Sequence, residues 1–220
     1  MILRALASVL VGYALGAVPT GVIVAKICGG ADVRQVGSGH TGGTNVARAV
    51  GSAWAGVATA AIDLALGAVA ALLGQRLCGA PWGATCAGVA AVIGHDWSLY
   101  IGLGGGMGLS SLFGMLLWQA PLATVAVGGG FVGLWLALRK LLHHESRSTM
   151  IASLAVPALL VALGQPWPVI ASGSLGTLVV IAKSSGDWHR TYEASEGVLH
   201  QLGLRSKTGP EQDQLPRARI

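Results

Sequence analysis

The segment GSGHTGGTNVAR, residues 37–48, gathers hydrogen-bonding groups in an otherwise apolar chain. Its four glycines, Gly39 among them, let backbone N–H groups approach an anion closely. Ser38, Thr44 and Asn45 add short donors, and Arg48 supplies a planar cationic fork. Together these residues have the chemistry of a phosphate cradle. The same residues also suit an ordinary loop capped by Thr44 or Asn45 at the next helix, with Arg48 as a membrane-flanking charge. Two further polar segments carry candidates. Gly94-His95 leads into Gly105-Gly106-Met107-Gly108, and His189-Arg190 follows the last apolar run. His95 fits either a ligand contact or a bond that shapes its own loop. Asp63 lies inside an apolar run, where an ionisable group faces protein or water. It reads as a charge partner for Arg48 or another motif cation, or as a polar packing contact.

These residues must be positioned by elements made mostly of hydrocarbon. The 220 residues are 53% hydrophobic and 10% charged, with a mean hydropathy of +0.65. Soluble domains carry about 25% charged residues, so the composition points to an all-α, polytopic membrane protein. Seven apolar runs are expected to span: about 5–25, 53–73, 81–93, 107–118, 122–138, 149–164 and 167–182. The first holds Gly12 and Gly16 at a spacing that permits close helix approach. It is longer than a signal-peptide core and lacks a small-residue cleavage site before polar sequence. Residues 1–200 form one expected domain. The polar tail 201–220, with two prolines and no apolar period, is expected to be disordered.

Seven spans place the termini on opposite sides, and positive charge selects which. With the N-terminus outside and the C-terminus cytoplasmic, twelve Lys and Arg residues lie inside, and only Arg4 and Arg76 outside. Without the four tail cations the bias is still eight to two. Every glycine-rich polar segment then reaches one cytoplasmic face. The net charge of +5 shows no aromatic interleaving of the kind nucleic-acid binding uses. Cys28, Cys78 and Cys86 form no CxxC pair and lack zinc spacing, so no metal is expected. A small-solute transporter would spread polar groups through the midplane in two related halves. Here they collect at one surface and no internal repeat is visible.

The pattern GSG-x-x-G-x-TN-x-x-R resembles the first motif of the bacterial membrane glycerol-3-phosphate acyltransferases that use acyl phosphate. Gly94-His95, Trp97 and Gly105-Gly106-x-Gly108 resemble that family's second loop, and His189-Arg190 its terminal motif. Asp63-x-x-x-Gly67 also matches. The resemblance implies an integral seven-helix enzyme that moves a fatty acyl group from acyl phosphate to the 1-hydroxyl of glycerol 3-phosphate. Lysophosphatidate and phosphate are the implied products of this step in phospholipid synthesis. It implies no cofactor, no metal, no protein nucleophile or dedicated base, and no obligate protein partner beyond membrane lipid. The implied phosphate-binding residues are Ser38, Gly39, Thr44, Asn45, Arg48, His95, Gly105, Gly106, Gly108, Ser153, His189 and Arg190. The sequence departs from the family at several places. Met107 stands where the second loop has lysine, His40 and Tyr192 where the motifs have asparagine, and Ser98 where there is proline. Met150 takes the place of a serine near Ser153. His143, His144 and Arg147 are candidates to replace the missing charge. A degenerate member that binds lipid or phosphate compounds without efficient turnover is the alternative within the family.

Overall fold

In the computed structural model, residues 2–189 are described, and all regular structure among them is helical. The helices are α1 Ile2–Gly16, α2 Thr20–Ile27, α3 Gly43–Val50, α4 Ala53–Cys78 and α5 Pro81–Asp96. They continue as α6 Leu109–Gln119, α7 Pro121–Leu142, α8 Glu145–Ser153, α9 Ala155–Ala162 and α10 Trp167–Ser185. Arg190, Tyr192 and the expected tail lie outside the described residues.

Each apolar run read from the sequence is helical. Four helical stretches have the length and apolarity to cross a membrane: Ile2–Ile27, Ala53–Cys78, Pro121–Leu142 and Trp167–Ser185. The others are shorter. At about 1.5 Å per residue, α5 spans roughly 24 Å and α6 roughly 17 Å, less than the ~30 Å of a hydrocarbon core. The sixth run is divided into α8 and α9 at Leu154. Large apolar side chains such as Leu3, Leu122, Val125 and Leu178 stay exposed on the outside. An outward apolar surface of that extent suits lipid.

Proline and glycine mark the helix ends. Pro121 starts α7 and Pro81 starts α5, where a missing N–H costs nothing. Pro19 divides the first stretch, so α1 ends at Gly16 and α2 begins at Thr20. The carbonyl of Ala17, freed at this break, accepts a bond from Ser98 Oγ at 2.5 Å. Tyr13 donates to the Trp97 carbonyl at 2.7 Å. The break therefore holds the loop after α5 in place.

The main core joins α5, α6, α7, α9 and α10 through Val92, Leu112, Met115, Phe131, Leu160 and Val180. A smaller cluster of Ala25, Val33, Val46 and Ala55 lies beneath the loop before α3. Elsewhere, buried Ser172 bonds Thr85 at 3.0 Å and Gln119 at 3.1 Å, joining α5, α6 and α10. Such interhelical bonds contribute about 0.6–2 kcal/mol each.

The close helix approach expected at Gly12 and Gly16 is present. A Cβ at Gly12 would lie 2.1 Å from the Ala87 carbonyl oxygen, and one at Gly16 1.9 Å from that of Ala91. Gly16→Val must push α1 off α5, and overpacking of this kind costs about 1–3 kcal/mol. A Cβ at Gly129 meets nothing within 4 Å. Thermal unfolding in detergent should show a clear loss for Gly16→Val and none for Gly129→Ala. Equal midpoints for the two variants would contradict the tight crossing.

Candidate active site

The glycine-rich segment folds as a tight loop leading into α3. Val33–Gln35 forms one 3-10 turn, capped by Asp32, whose carboxylate accepts from the Arg34 backbone N–H. The Arg34 guanidinium also bonds Asp32 and holds its carboxyl down to about 2. Asn45 then fixes the loop from inside. Its side-chain amide is within 2.8 Å of the carbonyls of Val33, Val36 and His40. Gly37 turns with φ +52°, and a Cβ there would lie 2.5 Å from Asn45 Oδ1. Asn45 thus shapes the cradle by drawing three carbonyls inward and away from any bound anion.

The loop meets the segment after α5 directly. Thr41 N–H donates to the Gly105 carbonyl at 3.1 Å, and Gly106 N–H to the His95 carbonyl at 2.9 Å. A Cβ on Gly106 would lie 2.1 Å from His95 Nε2, and one on Gly105 2.2 Å from the His95 carbonyl oxygen. Gly106 lets the backbone cross the imidazole, and Gly105 lets it pass the carbonyls of His95 and Asp96. Lys183 of α10 donates to the Asp96 carbonyl and lies 5.1 Å over the Trp97 ring. Three distant segments therefore support one turn around His95.

Between them lies a cavity of about 370 Å³. Its wall includes Ser38, His40, Thr44, Asn45 and Arg48 from the first segment and Asp63 from α4. His95, Met107 and Gly108 line it from the second, and Trp135, Glu145, Ser146 and Thr149 from α7 and α8. Gly42, Gly43 and Thr44 bring the start of α3 to the wall, and Gly42 offers no side-chain cap. Uncapped N–H groups at a helix start favour an anion. Among the described residues, Arg48 is the only Lys or Arg in the lining. Its Nη2 lies 3.6 Å from Glu145 Oε2, and that buried nitrogen has no hydrogen-bond acceptor. A guanidinium with an unused donor facing a cavity is equipped to take an oxyanion.

Asp63 is not the partner of Arg48. It accepts from Thr20 at the start of α2, and its Oδ1 stands 3.7 Å from His95 Nδ1. The helix break at Pro19 places Thr20 there. Ser153 is buried away from the lining, where its Oγ donates to the Met150 carbonyl and its own carbonyl receives Thr177. Gly39, Gly105 and Gly106 act on the backbone and do not line the cavity. His189 is exposed and not in the lining, so it and Arg48 stand in separate environments. The segment instead presents Asp187, buried and paired with His40. Arg190 falls outside the described residues.

The expected substitutes for the loop lysine are also engaged elsewhere. Arg147 forks onto the Trp188 carbonyl at 3.2 Å from both Nε and Nη2, with its guanidinium carbon 4.9 Å from that ring. His144 caps α8, and exposed His143 bonds the Leu141 carbonyl at 3.4 Å. None of the three lines the cavity. Met107 does, and it brings no charge there. Sequence reasoning missed Glu145, Trp135 and Thr149 as wall residues. Trp135 Nε1 donates to Thr149 Oγ1 at 3.0 Å, a contact that no local motif announces.

The glycerol-3-phosphate acyltransferase family model matches residues 6–193. The chain is 41% identical over 207 residues to a glycerol-3-phosphate acyltransferase of Synechococcus sp. strain JA-3-3Ab, covering 93% of this chain and 98% of that one. Glycerol-3-phosphate acyltransferase 2 of Moorella thermoacetica is 33% identical, with 91% of this chain and 99% of that one covered. Crystal structures of PlsY (YgiH), an integral membrane glycerol 3-phosphate acyltransferase, superpose in two forms at 25% identity. The glycerol 3-phosphate form has a TM-score of 0.71 and covers 93% of this chain and 96% of that one. The lysophosphatidic acid form has a TM-score of 0.72, covering 90% and 99%. On the family match over most of its length and its identity to these relatives, the chain belongs to the glycerol-3-phosphate acyltransferase family.

Proposed function

We propose that this protein transfers a fatty acyl group from acyl phosphate to the 1-hydroxyl of glycerol 3-phosphate, releasing lysophosphatidate and phosphate. The single observation that carries the reading is the cavity wall. It joins the start of α3 and the unused donor of Arg48 to the buried His95 and Asp63. The relatives solved in glycerol 3-phosphate and lysophosphatidic acid forms support the acceptor and the acylated product of this reading. The four long apolar helices support a multi-pass membrane protein, and the seven apolar runs of the sequence are the basis for reading seven crossings. The distribution of Lys and Arg supports an outside N-terminus and a cytoplasmic cavity.

The chemistry asks little covalent work of the protein. The hydroxyl oxygen attacks the acyl carbonyl carbon, and the carbon–oxygen bond to phosphate breaks. The hydroxyl proton ends on the released phosphate, which is why no dedicated base is required. The larger barrier is assembly. Two unit charges about 5 Å apart repel by roughly 3 kcal/mol at an effective dielectric near 20, and each phosphate carries more than one. Arg48, the α3 N–H groups and the hydroxyls of Ser38 and Thr44 offset that repulsion and orient the acceptor. Phosphate-binding roles for Ser38, Thr44 and Arg48 follow from this reading. Asn45, Gly39, Gly105, Gly106 and Gly108 hold the shape, and His95 is fixed beside Asp63.

Labelled glycerol 3-phosphate and acyl phosphate, incubated with the purified protein in lipid nanodiscs, should yield lysophosphatidate. Transport of label into vesicles without product would replace this reading. Arg48→Gln should lower kcat/KM by at least about 100-fold, as expected for removing a charged donor aimed at a phosphate.

Met107 brings no charge to the wall, so among the described lining residues Arg48 is the one permanent cation. Met107→Lys should raise kcat/KM by roughly tenfold or more, equivalent to about 1.4 kcal/mol of transition-state stabilisation. An unchanged rate would mean that another group already supplies that charge.

A further inference from the structure

Among the described residues, three residues of the cavity wall carry a buried polar side-chain atom without a hydrogen-bond partner: Asn45 Oδ1, Arg48 Nη2 and Ser146 Oγ. The first lies against Gly37, where a Cβ would come within 2.5 Å of it. The other two adjoin Glu145. This residue precedes Ser146 at the start of α8, and its Oε2 lies 3.6 Å from Arg48 Nη2. That distance is too long for a hydrogen bond. The Glu145 side chain is 26% exposed and lines the same cavity.

The backbone that carries it is held firmly. The Glu145 carbonyl receives Thr149 Oγ1 at 3.0 Å, and that hydroxyl receives Trp135 Nε1 at 3.0 Å. One residue earlier, the His144 carbonyl receives Ser148 Oγ at 2.7 Å. The start of α8 is thereby tied to α7, with Glu145 at the wall. Had Glu145 served only to neutralise Arg48, its oxygens would sit at bonding distance from the guanidinium. Instead Nη2 is left without an acceptor.

The α3 side of the wall offers donors: the N–H groups at the helix start, Arg48 and the hydroxyls of Ser38 and Thr44. Two carboxylates line the cavity, and Asp63 already accepts from Thr20. Glu145 is the one left to accept from a ligand. Glycerol 3-phosphate has hydroxyl protons to place, and an enclosed hydroxyl without an acceptor is costly. The 2-hydroxyl sits on the carbon next to the one that bears the phosphate, and the 1-hydroxyl is one carbon farther. With the phosphate on Arg48, a carboxylate beside the guanidinium meets the 2-hydroxyl. The 1-hydroxyl stays free to reach the acyl carbon. We propose that Glu145 accepts a hydrogen bond from the 2-hydroxyl of glycerol 3-phosphate and so selects this acceptor and directs its 1-hydroxyl to the donor. The proposal rests on the reading of the cavity as a glycerol 3-phosphate site and adds to it a specificity-determining residue.

The probe is 3-hydroxypropyl phosphate, which keeps the phosphate and the 1-hydroxyl and lacks the 2-hydroxyl. With acyl phosphate in nanodiscs, the wild type should favour glycerol 3-phosphate over this probe by about tenfold or more in kcat/KM. Glu145→Ala should bring the two acceptors within about twofold of each other. The ratio cancels any general change in phosphate affinity. Glu145→Gln keeps one acceptor oxygen, and its ratio should fall between the other two. That partial retention separates the role from loss of fold. Removing a residue that only supports α8 would lower both acceptors alike. Removing one that only neutralises Arg48 would raise both alike. In either case the ratio stays at its wild-type value and the proposal is overturned, as it is by a wild type without the preference. Should Glu145→Ala fail to fold, Glu145→Gln carries the test, and an undiminished ratio overturns the proposal.

Calorimetry with the two phosphates distinguishes this role from the acyl transfer. Preferential glycerol 3-phosphate binding that is lost in Glu145→Ala, from a protein that makes no lysophosphatidate, upholds Glu145 and sinks the acyltransfer. Normal turnover with equal ratios in both proteins sinks Glu145 alone. No glycerol 3-phosphate binding by the wild type sinks both.

Discussion

An anion site enclosed by protein must keep its donors unsatisfied until the anion arrives, and the rest of the molecule has to hold them there. A buried donor without an acceptor costs about 1–3 kcal/mol. Arg48 Nη2 is in that condition, and Glu145 at 3.6 Å relieves it only partly. What keeps the arginine in place is the packing of α3 on α4 above the Val33–Val46 cluster, together with Asn45 closing the loop below. The apolar burial and the phosphate chemistry are therefore one problem. Hydrocarbon contacts fix a helix start whose polar groups are left waiting.

The same reasoning explains the interrupted first helix. Breaking at Pro19 brings the Thr20 hydroxyl to the Asp63 carboxylate and leaves the Ala17 carbonyl free to anchor Ser98. Two loops are then located from one discontinuity: the segment around His95 through Ser98 and Tyr13, and the segment before α3 through α2 itself. Ser98 stands where the resemblance leads one to expect proline, yet its hydroxyl makes a contact proline has no group to make.

Much of this was legible in the chain because membrane helices and anion loops are local. An apolar run long enough to span shows itself in composition, and GSG-x-x-G-x-TN-x-x-R declares its donors within twelve residues. The limits were those of locality too. Asp63, a group inside a span, reads as a partner for Arg48, for another motif cation or for a packing contact, and the sequence does not choose; Arg48 meets Glu145 at the start of α8, while Asp63 stands 3.7 Å from His95. Asp63 found Thr20, a residue visible only as the first one beyond a proline. Near the end of α10, the sequence motif draws attention to His189, while the contact with the cavity wall comes from Asp187. Within a single turn, neighbours point in different directions, so His189 is exposed while Asp187 reaches the cavity wall. Ser153 lies outside the lining for a related reason: its helix face packs on α10.

The charge balance of the cavity distinguishes this chain from the pattern it resembles. Among the described residues, one arginine, two histidines and two carboxylates face the cavity. The guanidinium is the permanent cation of that set, and Glu145 already draws on it at 3.6 Å. A lysine at position 107 would set a second permanent cation in the wall. Methionine there leaves an anion to Arg48, to the uncapped N–H groups at the start of α3 and to the hydroxyls of Ser38 and Thr44, so the geometry of one short helix start has to do what two cations would otherwise share.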